Sequence, residues 1–222
     1  NNYNIKKVEG QNYLIDGTSF NANSLISNLL DANDKKENNL FENNVGIDLN
    51  FEEVYFDKVY FVKDLNGKIN IINNKVEEAD ILAFYNNSQN IKFTIRTNDQ
   101  GEKITTLFSS KAKPLVDRYK FIKGFKDDRK GYLDFYSVKK DGVSTSKLVI
   151  DNFKVKEIPA LAKLLALASL QGIADLLTGE GIRFTDFEMN FTNQDKLMKI
   201  KELYAIGPAI SILLEGYIEE DK

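Results

Sequence analysis

Cysteine, histidine and tryptophan are absent from these 222 residues, and only three prolines occur. Without Cys or His there is no thiolate or imidazole to bind a metal, and neither a Ser-His-Asp nor a Cys-His arrangement can be assembled. The lack of cysteine leaves the redox compartment open, since periplasm and cytoplasm are both compatible with it. Charge of one sign is scarce as well: 30 basic against 33 acidic residues give a net −3 with no long block of either. Arginine is confined to Arg96, Arg118, Arg129 and Arg183. This is a poor match to the clustered basic footprint of a nucleic-acid surface, and no nucleic-acid partner is expected.

Motifs that carry chemistry are equally sparse. Gly179-Glu180-Gly181 lacks the Lys-Ser/Thr of a phosphate loop and reads as the close of a helix. Asp31-Ala32-Asn33-Asp34 lacks the glycine and terminal glutamate of a calcium loop. Asp127 and Asp128 sit among Lys126, Arg129 and Lys130 as a solvated turn, and no carboxylate pair is singled out for glycoside chemistry. No catalytic residue, metal site or cofactor is assigned, and the chain reads as non-enzymatic.

What is present is a hydrophobic content of 42%, enough for a proper core, arranged mainly with period two. Residues 1–16 suggest an initial strand or hairpin around Tyr13, Leu14 and Ile15. Asn21 or Asn23 can then cap a short helix carrying Leu25, Ile26, Leu29 and Leu30, and the polar run 31–44 reads as a loop. From Val45 the pattern is an antiparallel meander: VGIDLNF, then EVYFDKVYFV and KINII joined across Asn66-Gly67, then KVEEADILAFY, NIKFTIRT and EKITTLFSS. Residues 111–130 are less regular. Alternation resumes in GYLDFYSV, turns at Asp141-Gly142 into STSKLVIDNFKV, and returns in GIRFTDFEMNFT, KLMKIKELYAI and AISILLEGYI. Phe184 and Phe187 differ in parity, which predicts a bulge near Thr185 or Asp186. Roughly ten or eleven strands and two helices result, in an order that argues against a doubly wound sheet. Such strands must close into a barrel, pair as a sandwich or curl around something; their pattern leaves the three open.

The segment from Ile158 to Phe184 organises the rest. Pro159 suits a first helical turn, Gly179 and Gly181 suit left-handed closing positions, and the span predicts one helix about 30 Å long. Lys163, Gln171, Asp175 and Thr178 gather in one narrow arc, leaving a broad leucine surface that includes Leu164 and Leu165. A membrane span is disfavoured: a central Lys and Asp each cost about 2.5 to 3.5 kcal/mol on an insertion scale, while each Leu returns only about 0.3 to 0.6.

The run from Leu148 to Phe191 resembles the C-terminal signature of the AsmA-like family, nearest its YhdP-type branch. The likeness is carried by Ile150, Phe153, Pro159, the leucine-rich helix, Gly179, Gly181, Ile182 and Phe184; Lys196 to Ile218 resembles the family's closing strands, with Gly207 and Gly216 in place. YLIDGTSFNANSLISNLL resembles its shorter strand-then-helix element. The resemblance implies a mainly β (α+β) fold: a long curved antiparallel sheet forming an open apolar groove, with one short and one long amphipathic helix. It implies one domain over residues 1–222, divided into a strand, short helix and loop (1–44), a meander (45–156) and a leucine-rich helix with closing strands (157–222). Because the chain begins at Asn1 rather than Met, it reads as a piece of a longer protein. By the same resemblance that protein is anchored in the inner membrane of a Gram-negative bacterium by a segment not present here, lies in the periplasm, and conducts phospholipids toward the outer membrane, with acyl chains as partners and no cofactor.

Groove-facing candidates by parity are Phe93, Ile95, Leu133, Phe135, Leu148, Ile150, Phe184, Ile212 and Leu214, with Leu164 and Leu165 on the helix. Two other readings stay open: a structural or interaction β-domain supporting outer-membrane assembly, possible envelope-protein partners included, and a glycan-binding module using some of the ten tyrosines.

Overall fold

The computed structural model describes residues 2–23, 44–73, 75–119, 122–126, 131–156 and 181–219. The chain divides into two compact units, Asn1–Thr106 and Leu107–Lys222. The fold is mainly β, as the alternating pattern requires.

In the first unit, β1 (Asn2–Lys7) and β2 (Asn12–Asn21) form the initial hairpin, with Ile5 opposite Ile15. β2 then pairs in parallel with β3 (Val45–Tyr55), which corrects the expectation of antiparallel order throughout. A parallel neighbour needs a crossover rather than a tight turn, and residues 22–44 supply its length. β4 (Phe61–Ile72), β5 (Lys75–Asn86), β6 (Gln89–Thr97) and β7 (Lys103–Ser109) follow; β3 to β6 pair antiparallel in sequence order. β7 ends just past the boundary between the units.

A second correction concerns Asn66-Gly67, which lies inside β4 rather than at a turn. The β3–β4 turn is made instead at 57–60, where the Asp57 carboxylate accepts the N–H groups of Val59 and Tyr60. Gly67 sits between Leu49 and Ile81, and a Cβ there would lie 3.0 Å from the Ile81 side chain. Its glycine therefore serves close strand packing and not chain reversal.

In the second unit a helix that was not anticipated, α1 (Lys113–Tyr119), falls in the stretch that looked irregular. Pro114 occupies its first turn, Lys113 pairs with Asp117 at 2.6 Å, and Pro114, Leu115 and Val116 are buried. The strands are β8 (Phe125–Lys126), β9 (Leu133–Lys140), β10 (Val143–Val155), β11 (Ile182–Gln194), β12 (Leu197–Ile206) and β13 (Ser211–Glu219). β9 to β13 pair antiparallel in order, and β8 adds to β10 beside Val155. Thirteen strands among the described residues exceed the ten or eleven expected; the two-residue β8 falls in the stretch read as irregular.

Asp141 and Gly142 do form the two-residue β9–β10 turn, both with positive φ (49° and 78°), the conformation a type I′ hairpin requires. The bulge expected near Thr185 does not appear as a register shift: Asn152 and Thr185 are passed over together, so Phe153 pairs with Phe184 in the same register as Asp151 with Asp186, and Asn152 has φ +47°. Gly181 has φ +83°, and a Cβ there would approach the Val155 carbonyl within 2.8 Å. Among the described residues α1 is the one helix given; the expected short helix through Leu25, Ile26, Leu29 and Leu30 and the leucine-rich helix that begins at Ile158 lie outside them, as do Leu164 and Leu165.

Candidate functional site: one apolar sheet face in each unit

Residues paired across neighbouring strands share a face, so the register converts the alternating sequence into a surface. In the first unit one row runs Ile5, Ile15, Leu49, Gly67, Ile81, Phe93 across six strands. The adjacent row runs Tyr13, Ile47, Ile69, Ala79, Ile95 across five. Phe93 and Ile95 thus lie on one face, at the ends of two apolar rows.

This face stays apolar along the strands because three neighbouring strands skip a residue together. The β2–β3 and β3–β4 registers both pass over Glu52, opposite Thr18 and Asp64, and Asp64 has φ +50°. Beyond that line Phe20, Val54 and Val62 come onto the face already occupied by Phe51. Phe20 stacks on Phe51 at 5.2 Å between ring centroids, with Tyr3 edge-on to both. Ala22, Phe56 and Ala83 complete the buried cluster there, while Ile15, Leu49, Leu65 and Ile91 beside it are only half-buried.

The opposite face of the first unit is charged. Lys6, Leu14, Asp48, Lys68, Asp80 and Thr94 succeed one another across it. Lys68 lies 3.7 Å from Asp48; Arg96 lies 2.8 Å from Asp80 and 3.5 Å from Glu78. An open polar depression follows the skipped residues, lined by Thr18, Ser19, Glu52, Glu53, Lys63 and Asp64. Nearby, the Tyr55 hydroxyl donates to Glu53 at 2.8 Å, and that bond raises the phenol's pKa.

The second unit repeats the arrangement. Leu133, Ile150, Phe187, Ala205 and Ile212 form one row, and Phe135, Leu148, Met189, Leu203 and Leu214 form the next. Phe184 belongs to the same face by way of the skipped pair Asn152 and Thr185: Phe125, Phe153 and Phe184 stack in series at 5.1 and 5.5 Å, and Phe187 meets Phe153 edge-on. Such ring contacts add about 0.5 to 1.5 kcal/mol each beyond area burial. All nine strand candidates read from parity therefore fall on the apolar face of their own unit. Their exposure varies widely: Leu133, Leu148, Ile150 and Phe184 are buried, Phe135 and Ile212 are half-buried, and Leu214 is 42% exposed.

Parity reasoning passed over Ile81, Phe187, Met189 and Leu203, which belong to the same rows, although the same alternation marks them. It also passed over Ser137 and Ser146, buried on this face and hydrogen-bonded to each other at 2.8 Å, next to Phe191 and Ile200. A hydroxyl pair satisfied internally can be buried among apolar side chains at little cost.

On the other face of the second unit Glu188 collects three donors: Lys147 at 2.8 Å, the Tyr204 hydroxyl at 2.7 Å and the Asn190 amide at 3.0 Å. Burial opposes ionisation of Glu188, but the bonds from Lys147, Tyr204 and Asn190 outweigh it and leave the pKa below its ordinary value. The Tyr204 phenol, bound to that carboxylate, is pushed up to about 12. Every group here has its partner, which is the signature of a structural network. Among the described residues no group of three carboxylates is placed to hold a metal ion, and no helix is long and apolar enough to cross a membrane. Comparisons with family models, with curated proteins and with solved structures find no match for this chain.

Proposed function

We propose that this chain is a non-enzymatic segment of an envelope protein that conducts phospholipids along an apolar β-groove. The observation that carries the reading is the continuity of the apolar rows: within each unit successive strands present aliphatic or aromatic side chains to one face, and charge or hydrogen-bonding groups to the other. In the first unit much of that face remains half-buried, so it retains apolar surface to offer. An acyl chain laid across it gains about 0.8 kcal/mol per buried CH₂ without a directional polar contact, and the same surface serves every position along the path. Phe93, Ile95, Phe135, Ile212 and Leu214 are the contacts expected to touch lipid. Leu164 and Leu165 of the leucine-rich segment belong to the same proposal, as do a periplasmic location and an inner-membrane anchor outside these residues.

A second reading, a structural β-domain for outer-membrane assembly, is favoured by a different observation. Leu133, Leu148, Ile150 and Phe184 are buried to the degree of an ordinary core.

The two are separated by what the purified protein carries. Extraction from membranes followed by mass spectrometry is expected to release phospholipid from the wild type. Phe93→Asp and Ile212→Asp are expected to lose it while keeping the circular dichroism of a β-sheet. A folded wild type free of lipid after gentle purification would leave the structural reading in its place.

A further inference from the structure

The polar face of the second unit holds one arrangement that its own hydrogen bonds do not resolve. In the register of β8, β10 and β11, Lys126 stands opposite Lys154 and Lys154 opposite Arg183, so three cations form one row across three strands. Lys156, two residues beyond Lys154, extends the group; its side chain lies against Gly181, where a Cβ would meet it at 3.0 Å. Like charges set directly opposite each other destabilise a sheet. The next pair along the same face, Asp151 and Asp186, is engaged elsewhere: these carboxylates accept from Asn152 and Thr185, each at 2.7 Å. Among the described residues no carboxylate lies within ion-pair distance of Lys126, Lys156 or Arg183. The Arg183 Nε is buried without a hydrogen-bond partner, a donor that still lacks its acceptor. Residues 123–130, 154–157 and 180–183 together hold seven basic and four acidic side chains, a cationic surplus in a chain of net −3.

We propose that this cationic face of the second unit docks on the phosphates of an anionic phospholipid bilayer. Arginine's fork suits phosphate oxygens, and the lysines add charge without demanding one geometry. The row from Lys126 to Arg183 crosses two strand spacings, about 10 Å, so it is wider than a single phosphate and meets several headgroups at once. Because it lies opposite the apolar rows of this unit, binding here leaves the proposed acyl path uncovered. The inference rests on the lipid reading only in naming a bilayer as the source of the phosphates.

Co-sedimentation of the purified protein with vesicles tests it. Wild type is expected to bind vesicles containing phosphatidylglycerol and to ignore vesicles of phosphatidylcholine alone. Lys126→Gln and Lys156→Gln, both at exposed positions, should each weaken binding about fivefold, and together about 25-fold, the loss expected for cations near an anionic surface. Arg183→Lys, which keeps the charge and loses the fork, should weaken it less than Arg183→Gln. Lys196→Gln combined with Lys201→Gln removes the same charge from exposed positions elsewhere in the unit and should leave binding unchanged. Circular dichroism checks that each variant folds. Wild type that ignores anionic vesicles would overturn the proposal. So would equal losses in the two double variants, or full displacement by inorganic phosphate at the vesicles' own phosphate concentration, which marks a single-anion pocket. None of these outcomes bears on the lipid carried by the purified protein, which is scored by mass spectrometry.

Discussion

Glu188 and Tyr204 show how single residues tune this sheet's response to pH. The carboxylate's pKa in the folded protein lies below its ordinary 4.5, so the unfolded chain holds its proton more tightly. The stabilisation is therefore full above about pH 4.5 and disappears as pH falls through the folded value. For Tyr204 the folded pKa is near 12 against an ordinary 10.0, so its contribution is full below pH 10 and is lost between about 10 and 12. Urea denaturation is expected to show that Glu188→Gln removes part of the acid loss of stability. Tyr204→Phe should flatten the alkaline limb and cost about 1 kcal/mol at neutral pH. Left-handed residues offer a second residue-scale test. Asn152, with φ +47°, lies where the β10–β11 register passes over one residue. Asn152→Val is expected to cost about 1 to 2 kcal/mol and Asn152→Gly only a few tenths, since a β-branched side chain resists this conformation. Chemical denaturation of the two variants measures the difference.

At the scale of elements, the same kind of dipeptide did two different jobs. Asp141-Gly142 turns the chain, and its pattern of hydrophobic residues on both sides announced this correctly. Asn66-Gly67 has the same appearance but continues β4, because Asn66 finds partners in Asn50 and Leu82, and Gly67 clears room for Ile81. No local signal separates the two. Only the neighbouring strand's side chain does. Helix α1 was illegible for a related reason: seven residues offer too few turns for a period to emerge, although Pro114 in its first turn marked the start. The strand faces, by contrast, were readable residue by residue, since alternation is a property of the strand itself. Their energetic weights were not. Ile150, fully buried, is expected to lose about 2 to 5 kcal/mol on change to Ala, while Ile212→Ala, half-buried, should lose markedly less; thermal melts of the pair check this.

For the molecule as a whole, the proposed lipid would act as a stabilising ligand. If acyl chains cover the apolar rows of the native protein but not the unfolded chain, their removal lowers stability by mass action, about 2.7 kcal/mol at a hundredfold excess over Kd. Detergent-stripped protein is therefore expected to melt at a lower temperature and to bind a hydrophobic dye more strongly, and adding phospholipid back should reverse both. An unchanged melting temperature would count against lipid as an occupant of the native surface. The amino-acid order alone determined that this is a β protein, which side chains share a face within a strand, and that histidine and cysteine chemistry is excluded. The folded arrangement alone decided that β2 and β3 run parallel, that Gly67 lies within a strand, and that Thr18, Glu52 and Asp64 are skipped in line, as Asn152 and Thr185 are. The division has a physical cause: side-chain alternation arises from the geometry of one strand, whereas direction, register and bulges are settled by what packs against the strand next to it.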